Sequence, residues 1–293
     1  MAYVKPELII VRYGEIGLKQ NITRRIFENS LVKNIKKSLE KQGIEFEIER
    51  KRARIYVLSD QMEECSKVLK KIFGITSFSP AFKTKTSKKE LKQLALNIIK
   101  NKITEKTSFA LKVNRTGNHD FTSQDIAVFL GKVIQEETKA PVNLSYPDIT
   151  LFVEIIENES FLFFEKTPSG GGLPLGTQGR VLSYIDSEQS ILASWYLMRR
   201  GCMPVFFIKD EALQNKAESF SKNWYCSFIC EKTEEDFDEI AKERKCDAMV
   251  TGFTIKDLEK IKLFKNKVKT PTLHPLIGLE ESEINNKKRY IGL

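Results

Sequence analysis

The stretch Pro168-Ser-Gly-Gly-Gly-Leu-Pro-Leu-Gly-Thr-Gln-Gly179 divides the chain into two parts that read as different architectures. Glycine accepts positive φ and proline fixes φ, so three successive glycines followed by Pro174 exclude a helix or a central strand here and predict a linker over 168–178. Beyond the linker, short apolar runs alternate with helical patterns. Strands are predicted over 181–185, 204–209, 225–230, 248–253 and 272–277, and helices over 191–200, 212–223, 234–245, 256–264 and 282–289. Five β-α units in a row imply a parallel sheet with right-handed crossovers. The first of them, an apolar strand running through a polar turn into a helix, is where α/β proteins bind phosphate.

Before the linker the pattern is mixed. A strand over 8–13, a turn at Gly14 to Gly17, an amphipathic helix over 19–37, strands over 45–50 and 54–58 and a helix over 62–73 follow the β-α-β-β-α order of a ferredoxin-like sandwich, closed by a strand over 76–83. Ile26, Phe27, Leu31 and Ile35 form the apolar stripe of the first helix, and Lys19, Arg24, Arg25, Lys33, Lys36 and Lys37 its basic outer face. A helix over 88–102, a strand over 108–113 and the loop Asn114-Arg-Thr-Gly-Asn-His-Asp-Phe-Thr-Ser123 come next. A helix over 124–138 and strands over 143–146, 149–156 and 161–166 complete this part. In the loop, Arg115 offers a planar fork for phosphate, Phe121 a stacking face, and Asn118, His119, Thr122 and Ser123 short hydrogen-bonding groups, a mixture suited to single-stranded RNA. Thr122 or Ser123 also fits as a helix cap, and the basic helix face also fits plain solvation.

A formal charge of +9, with 48 Lys and Arg against 39 Asp and Glu, favours a polyanionic partner through phosphate contacts. No apolar run approaches the ~20 residues that span a bilayer, and no secretory signal opens the chain, so a cytoplasmic protein without a membrane segment is expected. The five cysteines lack paired C-x-x-C spacing, which argues against a disulfide framework or a zinc ribbon. Cys226 and Cys230 read as buried thiols on one face of a strand. With only His119 and His274 available, a histidine triad or zinc site is not expected, and no catalytic residue is assigned.

Several ordered motifs resemble the tRNA 4-thiouridine synthetases, or tRNA sulfurtransferases, over nearly the whole chain. Tyr13-Gly-Glu-Ile-Gly-Leu-Lys19 with Arg25-Ile-Phe27 is similar to the family's opening ferredoxin-like segment, and Val113-Asn-Arg-Thr-Gly-Asn-His-Asp-Phe-Thr-Ser123 to the signature of its THUMP domain. Pro147-Asp148, Gly171-Gly-Leu-Pro-Leu-Gly-Thr-Gln178, Leu197-Met-Arg-Arg-Gly-Cys202, Val250-Thr-Gly252 and His274-Pro-Leu-Ile277 extend the resemblance. It implies a ferredoxin-like domain over 1–75, a THUMP RNA-binding domain over 76–167 and an α/β domain of the PP-loop type over 179–293. The acceptor end of tRNA is the partner so implied, and the contact set is Lys19, Arg24, Arg25, Lys112, Arg115, Asn118, His119, Phe121, Thr122 and Ser123.

The departures lie in the third domain. The family's phosphate loop has the form Ser-Gly-Gly-x-Asp-Ser, whereas Ile185-Asp-Ser-Glu-Gln-Ser190 stands here and keeps only the last serine. Asp186 and Glu188 are expected to repel phosphate, leaving Ser183, Tyr184, Ser190 and Gly252 as a vestigial nucleotide site. The segment from Cys230 to Asp247 has room for one plain helix and not for the family's insertion with its catalytic cysteine. The resulting expectation is a tRNA-binding protein that does not adenylate tRNA by itself and acts as an accessory in tRNA modification. It carries no cofactor, and a homodimer or a protein partner supplies the chemistry. The alternatives are an active tRNA sulfurtransferase using ATP and Mg with an atypical loop, and a protein-interaction adaptor.

Overall fold

The computed structural model describes residues 5–51, 54–100, 102–231 and 236–293. In chain order the first elements are β1 (Leu8–Arg12), α1 (Asn21–Glu40), β2 (Glu47–Lys51), β3 (Arg54–Leu58), α2 (Met62–Leu69) and β4 (Ser77–Lys85). They are followed by α3 (Lys88–Ile99), β5 (Phe109–Thr116), α4 (Ser123–Thr138), β6 (Ile149–Ile156), β7 (Glu159–Phe163) and β8 (Thr167–Pro168). The last part comprises β9 (Arg180–Ile185), α5 (Glu188–Arg199), β10 (Met203–Ile208), α6 (Glu211–Asn223), β11 (Cys230–Glu231), α7 (Phe237–Glu243), β12 (Ala248–Val250), α8 (Leu258–Lys267), β13 (Thr272–Leu273) and α9 (Glu281–Ile291). No described helix is long and apolar enough to cross a membrane.

By contacts the chain forms two compact units. The first holds Met1–Arg12, Gly43–Lys67 and Ser77–Pro168, and the second Tyr13–Gln42, Val68–Thr76 and Ser169–Leu293. The first is built on an eight-stranded sheet ordered β2-β3-β1-β4-β7-β6-β5, with β8 beside β4. All its pairings are antiparallel except β5 with β6, which α4 joins as a crossover. Period-two alternation sends Leu151, Val153 and Ile155 to one face, where they meet Leu91, Ala95 and Ile99 of α3 and Ile126, Leu130 and Ile134 of α4. The opposite face carries Leu8, Ile10, Tyr56, Ala81, Phe161 and Phe163, a cluster drawn entirely from strands. The strand expected over 143–146 is absent. Asn143 instead locks a turn, accepting from the N–H groups of Ser145 and Tyr146 at 3.2 and 3.0 Å and donating to the Tyr146 carbonyl at 2.9 Å.

The second unit contains a five-stranded, all-parallel sheet ordered β11-β10-β9-β12-β13. Val181 and Ile185 face Ile191, Trp195 and Met198 of α5, together with Ala217, Phe220 and Ile284. Leu182, Val205, Phe207 and Met249 face Ile240 and Ala241 of α7. The glycine stretch is strapped down within this unit: Leu173 N–H donates to the Arg199 carbonyl at 3.0 Å and Gly176 N–H to the Gly201 carbonyl at 2.8 Å. Gly172 has φ +69°, and a Cβ there would lie 1.9 Å from the Arg199 carbonyl oxygen, so no other residue fits.

Three expected strands are shortened in this unit. The run 225–230 reduces to Cys230–Glu231, because Tyr225 has φ +51° and ends α6, with Cys226 N–H reaching back to the Ser221 carbonyl at 2.9 Å. The run 248–253 ends at Val250 and 272–277 at Leu273. The helix expected over 234–245 is seen from Phe237, and its first two positions lie outside the described residues. Cys226 is buried and Cys230 partly so, but with only Cys230 in a strand they do not share a strand face.

Candidate functional site

Two strand-turn-helix junctions contain the residues singled out above, one in each unit. In the first unit β5 runs past its expected end and keeps Asn114, Arg115 and Thr116 within the ladder, opposite Glu154, Ile155 and Ile156 of β6. Alternation along the strand places Lys112 and Arg115 on opposite faces. Arg115 Nη1 donates to the Gly117 carbonyl at 3.1 Å and lies 3.2 Å from His119 Nδ1, while His119 Nε2 lies 2.8 Å from the Glu157 carbonyl. A carbonyl only accepts, so Nε2 carries the proton and Nδ1 accepts from Arg115. Both ring nitrogens are thus engaged, and His119 serves to shape the loop. Phe121 lies 5.1 Å from the His119 ring and packs against the core beneath α4.

Thr122 caps α4: its Oγ1 accepts from Asp125 N–H at 3.1 Å, and Asp125 Oδ2 accepts from Thr122 N–H at 2.8 Å. That backbone donor, with the Thr122 hydroxyl, holds the Asp125 carboxyl below the usual carboxylate range. Ser123 is the first residue of α4 and half-buried. Among the loop residues singled out above, Asn118 and Thr122 are exposed, and Arg115, His119, Phe121 and Ser123 half-buried.

The second junction is β9, the turn at Asp186 and Ser187, and α5. The chain runs β9, β10, β11 to one side and returns to β12 on the other, so the switch point of the sheet lies between β9 and β12, where open α/β sheets take ligands. At that point the Ser190 hydroxyl accepts from the N–H groups of Asp186 and Ser187 at 3.1 and 3.2 Å and donates to the Ser187 carbonyl at 2.6 Å. Ser190 is 1% exposed. Gly252, just beyond β12, presses against the first turn of α5, and a Cβ there would lie 2.5 Å from Ser190 N and 2.7 Å from its Cα. Ser183 is fully buried, and its hydroxyl has no hydrogen-bond partner among the described residues. Tyr184 points to the other face of the sheet, into a ring cluster with Phe237 and Phe264 at 5.5 and 5.6 Å. Burial first, then the Asp186 charge, pushes its phenol upward. Phe253, next to Gly252, stacks on His274 at 6.0 Å and meets Phe264 edge-on at 5.8 Å.

The expectation of repulsion from Glu188 needs correction. Its carboxylate oxygens are held by Lys216 of α6 at 2.5 Å and by Lys288 of α9 at 2.6 Å. The hydrogen bond from Lys216, then that from Lys288, lowers its pKa to about 2. Glu188 is therefore a neutralised tie between three helices, and Asp186 alone exposes its charge at the turn. In the second unit Lys19 precedes α1, and Arg24 and Arg25 lie near its start; Lys19 Nζ rests 4.8 Å over the Phe27 ring, and Arg25 is exposed.

Reading the sequence missed the charges gathered on the strand-built face of the first unit. Arg12 Nε and Nη2 hold one Glu154 oxygen at 3.0 and 2.9 Å, and Arg54 approaches the other at 3.7 Å. Partners separated by 142 residues leave no local pattern to detect. Among the described residues, no cluster of three or more His, Cys, Asp or Glu side chains is placed to hold a metal ion.

Residues 8–79 match the family model described as the ThiI ferredoxin-like domain, and residues 85–165 that of the THUMP domain. The Methanobrevibacter smithii protein named "Probable tRNA sulfurtransferase" is 31% identical, with 98% of this chain and 86% of the relative aligned. A Methanocaldococcus jannaschii protein of the same name is 32% identical over 97% of this chain and 87% of its own length. The first alignment spans 334 positions whereas this chain has 293 residues, so the relative has segments without a counterpart here. Among solved structures, a Pyrococcus horikoshii protein superposes with TM-score 0.85 and 29% identity, covering 98% of this chain and all of its own. A 4-thiouridine synthetase–RNA complex with bound ATP superposes with TM-score 0.79 and 25% identity, covering 98% of this chain and 85% of its own.

Proposed function

Because the chain belongs to the tRNA sulfurtransferase family, we propose that it binds tRNA by the acceptor end, does not adenylate it unaided, and acts as an accessory in tRNA modification. The domain division over 1–75, 76–167 and 179–293 is part of this reading, with RNA held by the THUMP segment. Arg115 and Asn118 are the loop side chains left to meet RNA; Lys112, on the other face of the strand, and, in the second unit, Lys19, Arg24 and Arg25 are further RNA contacts in this reading. Thr122 and Phe121 serve the cap and the core.

The observation that carries the loss of adenylation is the exposed Asp186, standing with Ser187 where the family's phosphate loop has its two glycines. A nucleotide phosphate at this turn needs close approach to the backbone donors of residues 186 and 187, which two glycines would permit and the side chains of Asp186 and Ser187 obstruct. The side chain of Asp186 adds a negative charge where a glycine would leave room. The residues present therefore do not fit ATP, and no step through it is assigned. Pyrophosphate release, measured with unmodified tRNA and Mg-ATP, is expected to stay at the level without protein; tRNA-dependent release would overturn the reading. The second reading is an active sulfurtransferase with an atypical loop. It is favoured by alignment to proteins of that name along 98% of the chain. Loss of 4-thiouridine from cellular tRNA on deletion of the gene, with pyrophosphate release by the isolated protein, would establish it.

A further inference from the structure

The strand-built face of the first unit carries more positive charge than its carboxylates neutralise. Ladder register sets Lys112 beside Phe152, and Phe152 beside Phe163, whose ring it stacks on at 5.2 Å with an interplanar angle of 7°. Lys166 lies across this pair, its Nζ 4.8 Å from the Phe152 centre and 5.9 Å from that of Phe163. Among the described residues, the charges that act most on Lys166 are Arg12, Arg54 and Lys112, with Glu154 the carboxylate beside them. Glu154 is already committed: one oxygen takes two Arg12 nitrogens and the other faces Arg54. Burial first, and then Arg12, holds the Lys166 ammonium below the usual lysine range. Lys112 and Lys166 are both exposed, and neither takes part in an ion pair among the described residues.

Four cations around one carboxylate repel each other, and side chains that served only the fold would gain by being neutral. A lysine ammonium over an aromatic face at an exposed site gains only a modest attraction, which offsets part of that repulsion. The arrangement is relieved by an added anion. A phosphodiester oxygen is a suitable one, because its charge persists at every pH where the lysines are charged and neighbouring phosphates continue along the strand.

We propose that this face is an RNA-backbone site, in which a phosphate sits between the ammonium groups of Lys112 and Lys166 above the Phe152–Phe163 pair. The site lies across the sheet from Arg115, so it is separate from the contacts of the loop 114–123. It rests on the reading of the first unit as the RNA-holding part of the chain.

The test is filter binding of an unmodified tRNA transcript to the full chain at several salt concentrations. Wild-type protein is compared with Lys166→Met, Lys166→Arg and the double variant Lys112→Gln/Lys166→Gln. The double variant is expected to bind about tenfold more weakly, and its slope of log Kd against log salt should be shallower by about 0.7 for each phosphate contact removed. Lys166→Arg should keep the wild-type slope; Lys166→Met, which retains the stem over Phe152, should not. The melting temperature of Lys166→Met should be unchanged or higher, since a repelling charge has gone. A wild-type slope and affinity in the double variant, or a lower melting temperature for Lys166→Met with unchanged binding, would overturn the site and assign Lys166 to the fold. Failure of the wild-type protein itself to bind tRNA would instead overturn the reading beneath it.

Discussion

The two units each contain an apolar parallel strand that turns into a capped helix, and they spend their polar groups differently. At the end of β5, the cap of α4 is closed between Thr122 and Asp125, so Asn118 is left exposed on the loop with Arg115 half-buried beside it. At the end of β9, the Ser190 hydroxyl reaches back over the turn and takes the N–H groups of Asp186 and Ser187 for itself. Charge follows the same division. Among the described residues Lys112 and Lys166 form no ion pair, whereas Glu188 is tied to two lysines. A helix start is an anion site only while its donors remain open, so the shared topology of the two junctions does not give them the same chemistry.

The strongest way to break the comparison is at Gly252. Gly252→Ala forces a Cβ to within 2.5 Å of Ser190 N, where backbone must move, and should cost about 3 kcal/mol in denaturant unfolding. A loss below about 1 kcal/mol would mean that the contact between the end of β12 and α5 is soft. Next in size is Arg115→Ala, which should weaken tRNA binding by about 1–3 kcal/mol with little effect on melting, as expected for a charge-assisted contact to unpaired RNA. Unchanged affinity would remove the loop from the interface.

The two caps can be compared directly. Ser190→Ala leaves two backbone donors unsatisfied and should destabilise by about 1–2 kcal/mol, against about 1 kcal/mol for Thr122→Ala. Equal losses would show that Ser190 is an ordinary cap. The smallest effect is expected at Glu188. Its carboxyl is depressed from 4.5 to about 2, so its contribution is fully present above the unfolded value and is lost as pH falls toward 2. Because the pairs with Lys216 and Lys288 are partly exposed, Glu188→Gln should cost about 1 kcal/mol or less near pH 7. The variant should also flatten the acid limb of the stability curve; an unchanged limb would remove the tie.

The alternation of strands and helices after the glycine stretch was legible because burial on both faces writes continuous apolar runs such as Val205 to Ile208. The positions of Thr122, Arg115 and the altered turn were legible because capping and loop chemistry act within a few residues. Tyr225 was not: a left-handed residue is read from glycine or asparagine, and here a tyrosine ends the helix. Nor were the lysines on Glu188, since Lys216 and Lys288 reach it from other helices, or Lys166 above Phe152, since only the sheet brings them together.

That this family member holds tRNA while Asp186 and the loss of the loop glycines keep nucleotide from the turn is tested by isothermal titration of Mg-ATP into the protein with tRNA present. The titration is run on the unmodified chain and on a variant in which residues 185–189 are replaced by Ser-Gly-Gly-Phe-Asp. No saturable heat in the unmodified chain, with weak binding appearing once the glycines are restored, is the predicted result. Micromolar binding by the unmodified chain would contradict it.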